Sequence, residues 1–349
     1  MLIDVALPER PAAAAVPRAM AELLAAGRHF ERRGNLGLAA DSYAAAIDAA
    51  QPEDPALLSE ALRRLAVLQD RRAETAAARE LALRAVSVAT RAGLSVLAAE
   101  ALHALGSFAF EAGDLAEARE RFESALELGA GDPELVMTVD QDIGLLHGVR
   151  GEWPEAVALC QRAATLAERH GNHGAAARAY RNLGLLAARQ SRFEEAHRQY
   201  RRARGIALRE GDIYLEALCL LDQAGVDVAL ERWDEARVGA ERALHIFDRL
   251  DSRRDKAVAN RILGVVFRET RRPALAESRL RSAVDIAVNT QSPLSEAESR
   301  RELAELYRWQ SRPTDALAEL DNASYLFSRL GARADVADIE HRITRVRGV

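Results

Sequence analysis

Three histidines, His147, His170 and His173, and two cysteines, Cys160 and Cys219, are the side chains of this sequence best suited to hold a metal ion or act as a nucleophile. A closed zinc site needs four nitrogen, sulfur or oxygen ligands, and no cysteine or carboxylate completes such a set beside the histidines. His170 and His173 read instead as polar residues of a turn, and the two cysteines as small core residues. The sequence has no phosphate-binding loop of the Walker type, no dinucleotide glycine fingerprint after a strand and no His-Glu-x-x-His helix. A nucleophile elbow in its strand–turn–helix setting is absent as well. Arg198, Arg201, Arg202 and Arg204 could form an anion-binding patch, but Glu194 and Glu195 one turn earlier make a solvated helix face the better reading. The expectation is therefore a protein that is not an enzyme and that needs no metal and no cofactor.

Composition narrows the class. The 349 residues are 49% hydrophobic and 29% charged, with only 5% aromatics. Abundant alanine with few aromatics suits closely packed helices better than sheets. Net charge is −5, with both signs interspersed, which argues against a nucleic-acid partner and the basic domain it would need. Two cysteines make no disulfide framework, so a reducing, cytoplasmic setting is expected. No apolar run reaches the roughly 18–20 residues that cross a bilayer, so no membrane partner is expected. The N-terminus has no basic opening and is interrupted by Pro8, Pro11 and Pro17, unlike a signal peptide. Residues 1–18 are read as a flexible Ala/Pro-rich arm.

The elements that would position any site emerge from self-similarity. A small residue recurs at Gly27, Ala66, Gly106, Gly144, Gly184, Ala224, Gly264 and Ala304, at intervals of 38 to 40 residues. Twelve residues after each stands an alanine: Ala39, Ala78, Ala118, Ala156, Ala196, Ala236, Ala276 and Ala316. Four further on come Tyr43, Ala82, Phe122, Cys160, Tyr200, Ala240, Leu280 and Leu320, and three beyond these another alanine throughout. Spacings of three and four lie on one helix face, so each block predicts two helices, A and B, packed as an antiparallel hairpin. Gly34, Gly113 and Gly151 mark tight turns between them. Pro154, Pro273 and Pro313 open B helices, where a missing N–H costs nothing. Pro52, Pro55, Pro133 and Pro293 fall between repeats, and Gly93, Gly171, Gly211 and Gly331 end B helices. The prediction is an all-α, right-handed solenoid of eight helix-turn-helix repeats over residues 19–331, starting near 20, 59, 99, 137, 177, 217, 257 and 297. Residues 332–349 place Val336, Ile339, Ile343 and Val346 on one face and read as a capping helix.

This frame resembles the tetratricopeptide repeat family over residues 20–331, with a period longer than the family's usual length of about 34. The resemblance implies a superhelix whose inner wall is built by the A helices and holds extended or helical peptides. Carried onto this sequence, the wall positions are Arg63, His103, Gln141, Asp142, Arg178, Arg181, Asn182, Asp222, Arg261, Arg268 and Arg301. In peptide-binding members an asparagine at the place of Asn182 holds the ligand backbone, and only Asn182 reproduces it. Arginine recurs in one register of the wall, and its fork matches carboxylates. The expected partner is thus a protein or peptide with acidic side chains or a free C-terminus.

Residues 302–307 and 326–330 also resemble the end of the repeat arrays that precede bacterial HD-type cyclic-dinucleotide phosphodiesterase domains. No HD pair follows here, which implies a sensor fragment or a stand-alone relative. The functional expectation is a peptide-binding scaffold, the sensory or docking module of a bacterial signalling system. The alternative is a regulator that changes superhelical pitch on binding a ligand and so controls an output domain.

Overall fold

The structure, a computed structural model, describes residues 16–50 and 54–347. The described residues form seventeen helices, eight antiparallel pairs and one more. The first four pairs are α1 (Val16–Arg32) with α2 (Leu36–Asp48), α3 (Pro55–Arg71) with α4 (Thr75–Arg91), α5 (Ser95–Glu111) with α6 (Leu115–Gly129), and α7 (Pro133–Arg150) with α8 (Trp153–Arg169). The next are α9 (His173–Arg189) with α10 (Phe193–Glu210), α11 (Ile213–Ala229) with α12 (Trp233–Arg249), α13 (Arg253–Glu269) with α14 (Pro273–Asn289), and α15 (Pro293–Trp309) with α16 (Pro313–Arg329). Helix α17 (Arg333–Arg347) packs on α16. Each A helix starts four residues before the start read from the sequence. The last three residues assigned to the N-terminal arm belong to the first turn of α1; the rest of the arm, and Pro52, lie outside the described residues.

Local chemistry fixes where the helices start. Prolines occupy the first or second position of α3, α7, α8, α14, α15 and α16. Asp114, Asp132, Asn172 and Asp212 accept hydrogen bonds from backbone N–H groups of the first turns that follow them, satisfying donors that a helix start leaves orphaned. All eight A–B turns pass through one left-handed residue, and five of these are not glycine: Ala73, Ser191, Glu231, Arg271 and Ser311.

The alanines of the repeating frame are all fully buried, and the small helix-A residue touches the B residue sixteen places later. A Cβ added at Gly184 would lie 2.5 Å from the Tyr200 ring, and one at Gly106 equally close to Phe122. Where the A position is Ala66 or Ala224, the facing B residue is the alanine Ala82 or Ala240. Gly106 and Gly184 thus make room for a ring, and Gly144 and Gly264 for Cys160 and Leu280. Gly184→Ala is expected to destabilise by about 1–2 kcal/mol, because overpacking outweighs the gain of roughly 1 kcal/mol in helix propensity. Tyr200→Ala should cost less in that background than alone, as read by denaturant titration; equal costs in both backgrounds would refute the contact as the cause.

The solenoid curls far enough to meet itself. The A–B turns of repeats one to three stand against repeats six to eight. Arg254 Nη1 donates to Asp70 Oδ2 at 2.5 Å, Arg72 lies 3.7 Å from Asp251, and the Arg71 guanidinium sits 4.3 Å above the Tyr214 ring. Gly34 and Gly113 make this approach possible. Both have positive φ, and a Cβ would fall 2.8 Å from Leu250 at the first and 2.6 Å from Leu330 at the second. Met20, Leu24 and Tyr43 of the first repeat share one apolar cluster with Leu220, Leu250 and Phe327 of the last three.

Candidate ligand site in the solenoid lumen

The A helices line the lumen, where hollows of about 770 and about 440 Å³ open among the described residues. The larger is lined by His103, Gln141, Asp142, Arg178, Arg181 and Asn182 among the wall residues read from the sequence. Asp222, Arg261 and Arg301 line the smaller one. Arg63 and Arg268 line neither. Arg181 faces the first hollow and its partner Asp222 the second, so this pair stands between them.

Most of these wall residues are already engaged. Neighbouring A helices are joined rung by rung along the whole array. Arg28 on α1 donates to Glu60 on α3 at 2.9 Å, and Arg63 on α3 pairs with Glu100 on α5 at 2.9 Å. His103 Nε2 on α5 lies 2.6 Å from Asp142 on α7, and Asn182 Nδ2 on α9 donates to Gln141 Oε1 on α7 at 3.5 Å. Arg181 forks onto Asp222 on α11 at 2.6 and 3.4 Å, and Tyr214 Oη donates to Asp255 on α13 at 3.0 Å. Arg261 pairs with Glu298 on α15 at 2.9 Å, Arg268 with Glu302 at 3.0 Å, and Arg301 with Asp335 on α17 at 3.0 Å. Arginine at one register therefore has a cause inside the array: each holds a carboxylate of the next repeat. Arg63, Arg181, Arg261, Arg268 and Arg301 thus each have a carboxylate partner within the array. Asn182 is largely buried and its amide is spent on Gln141.

Arg178 differs. It is exposed to the lumen, and among the described residues no carboxylate stands within ion-pairing distance of it. The enclosing walls lower its pKa, with Asp212, Asp142 and Glu134 pulling the other way from farther off. A charged guanidinium deprived of part of its water and given no partner carries a desolvation cost that an anion would offset.

The sequence matches the model of the tetratricopeptide repeat over residues 135–209, the span of α7 to α10. The eight helix pairs have the tetratricopeptide-repeat fold. Among solved structures, a Rap protein complexed with competence and sporulation factor aligns over 96% of this chain and 98% of its own, at 14% identity and a TM-score of 0.59. NprR in complex with its cognate peptide NprX aligns over 72% of this chain and 73% of its own, at 13% identity and a TM-score of 0.58. The apo form of RapI aligns over 77% and 98%, at 16% identity and a TM-score of 0.54. No curated protein matches the sequence. At these identities the likeness is one of fold.

Within this tetratricopeptide-repeat array the thiols of Cys160 and Cys219 are each pushed up to about 12, chiefly by burial, which keeps them protonated and unreactive. His147 Nδ1 is taken by Glu152 at 2.5 Å, and no group of three His, Cys, Asp or Glu among the described residues is arranged to hold a metal ion. No helix among them is long and apolar enough to cross a membrane. The lumen also contains residues that the sequence reading passed over: Arg32, Arg71 and Glu111 in the first hollow, Arg189 in the second. All four stand five places after the small helix-A position. That register, one residue beyond the one Arg268 occupies, is the signal that could have found them. Solvent reaches the Glu111 carboxyl, yet the surrounding walls raise its pKa to about 7, and among the described residues it makes no ion pair.

Proposed function

We propose that this protein is a peptide-binding scaffold, the docking or sensory module of a bacterial signalling system, and that it holds a peptide segment in the larger hollow with a carboxylate on Arg178. The observation that carries this reading is that Arg178 alone, of the six arginines read as wall residues, has no carboxylate partner within the array. The hollow's volume suits such a ligand, since small-molecule and peptide sites run from roughly 300 to 1,000 Å³. Phe110, Tyr214 and Leu218 give it apolar wall, and Arg32 and Glu111 give it charge of both signs, as a short peptide with two ends requires. Support also comes from the shared fold of NprR, which is held in complex with a peptide.

The test uses pools of fluorescent hexapeptides of mixed sequence that differ only in a free or an amidated C-terminus. Fluorescence anisotropy should show tighter binding of the free-acid pool, and Arg178→Ala should reduce that advantage at least tenfold, the order of one charge-assisted contact. Equal binding of the two pools, or an unaltered preference in Arg178→Ala, would refute the assignment.

A further inference from the structure

The contacts that close the solenoid on itself are unlike the rungs within it. Arg254 and Asp70 are about one-tenth exposed and lie 184 residues apart in the chain. Arg254 also reaches Thr75 Oγ1 at 3.3 Å. The bonding is nonetheless incomplete: Asp70 Oδ1, Arg254 Nε, Arg72 Nε and Gln69 Oε1 are buried there without a hydrogen-bond partner. An ion pair withdrawn from water with donors and acceptors left over gains little net free energy. Opening this seam would leave every helix pair and every rung intact, because stability in a solenoid resides in nearest-neighbour contacts.

We propose that the seam between repeats one to three and repeats six to eight is a latch that opens and closes the ring, with the Arg254–Asp70 pair as its bolt. The closed ring and the opened spiral are two states of one array. The larger hollow is lined from both sides of the seam, by Arg32 and Gly34 on one and Tyr214 and Leu250 on the other. A molecule seated there bridges the seam, so filling the hollow and closing the ring favour each other by the same factor. The latch itself needs no ligand and stands whether or not Arg178 binds a peptide.

Protons bias it. The charged groups around Glu111 are Arg254, Asp70, Asp255 and Arg181, and Asp255 is held by the hydroxyls of Tyr214 and Ser252. Closing raises the pKa of Glu111 toward 7, mainly by desolvation. Closing therefore takes up protons. The closed ring is favoured most at low pH, loses favour as pH rises from the ordinary carboxylate range to about 7, and changes little above.

Nitroxide labels on Glu74→Cys and Arg253→Cys, both exposed and on opposite sides of the seam, read its width by pulsed electron resonance. The native cysteines are buried and do not label. Asp70→Asn and Arg254→Gln should each add a long-distance population to the single short one, with helicity unchanged by circular dichroism. In the labelled protein with the seam intact, the open-to-closed ratio should rise on the order of tenfold between about pH 5 and about pH 8. Glu111→Gln should flatten that rise. A short distance kept in both bolt variants would overturn the latch. Should those variants lose helicity, the pH series decides alone: a distance distribution constant across it overturns the proposal.

Discussion

Arg181→Glu is expected to lower the unfolding free energy of the array by about 3–5 kcal/mol, the cost of breaking a buried ion pair from one side. Asp222 is only 11% exposed and receives both arms of the Arg181 fork. Replacing that fork with a carboxylate leaves two like charges facing each other where water does not freely reach. The substitution Arg178→Gln, one helical turn away, removes no ion pair within the array and should stay within about 0.5 kcal/mol of the parent. Urea titration of the two variants separates the roles: one arginine holds repeats five and six together, the other is free for a ligand. Coincident curves would mean that the Arg181–Asp222 rung contributes nothing to the fold.

Removing residues 332–349 should have an effect of similar size at the other end of the molecule. Ile339 is fully buried, and Val336, Ile343 and Val346 pack against the cluster that includes Leu320 and Phe327. Burying one such side chain contributes roughly 1.5–3 kcal/mol, so the truncation costs several kcal/mol at one place. It also strips Asp335 and Asp338 from Arg301 and Asp335 from Arg189. Amide exchange in residues 314–328 should accelerate by two orders of magnitude or more, while α3 to α8 exchange as before. Unchanged protection in α16 would show that the last helix covers nothing that needs covering.

The fold was legible because its determinants are local and repeated. A small residue, an alanine twelve places on and a second alanine seven later state where two helices touch, and eight copies state it eight times. Even the pairing of Gly184 with Tyr200 and of Ala66 with Ala82 is written at a constant separation. The lumen was harder to read. Most of the positions read as the wall line one of the hollows, but Arg181 and Asp222, or Arg261 and Glu298, look like two independent columns of charge until the stacking of one repeat on the next brings them within 3 Å of each other. What singles out Arg178 is the absence of such a partner, a property of three dimensions only. The seam was not legible at all. Whether Arg254 meets Asp70 depends on small rotations accumulated over five repeats, and no spacing in the chain records their sum.

The rungs along the A helices also give the array a direction. In six of the nine, an arginine stands on the earlier helix and the carboxylate on the later one, from Arg28 and Glu60 to Arg301 and Asp335; His103 with Asp142 makes a seventh, and the rung from Tyr214 to Asp255 likewise donates forward. A repeat copied in tandem would therefore arrive with a donor facing ahead and an acceptor facing behind, already matched to its neighbours on both sides. Growth by duplication is open to such an array; reversal of a block is not, since it would set arginine against arginine at one boundary and carboxylate against carboxylate at the other.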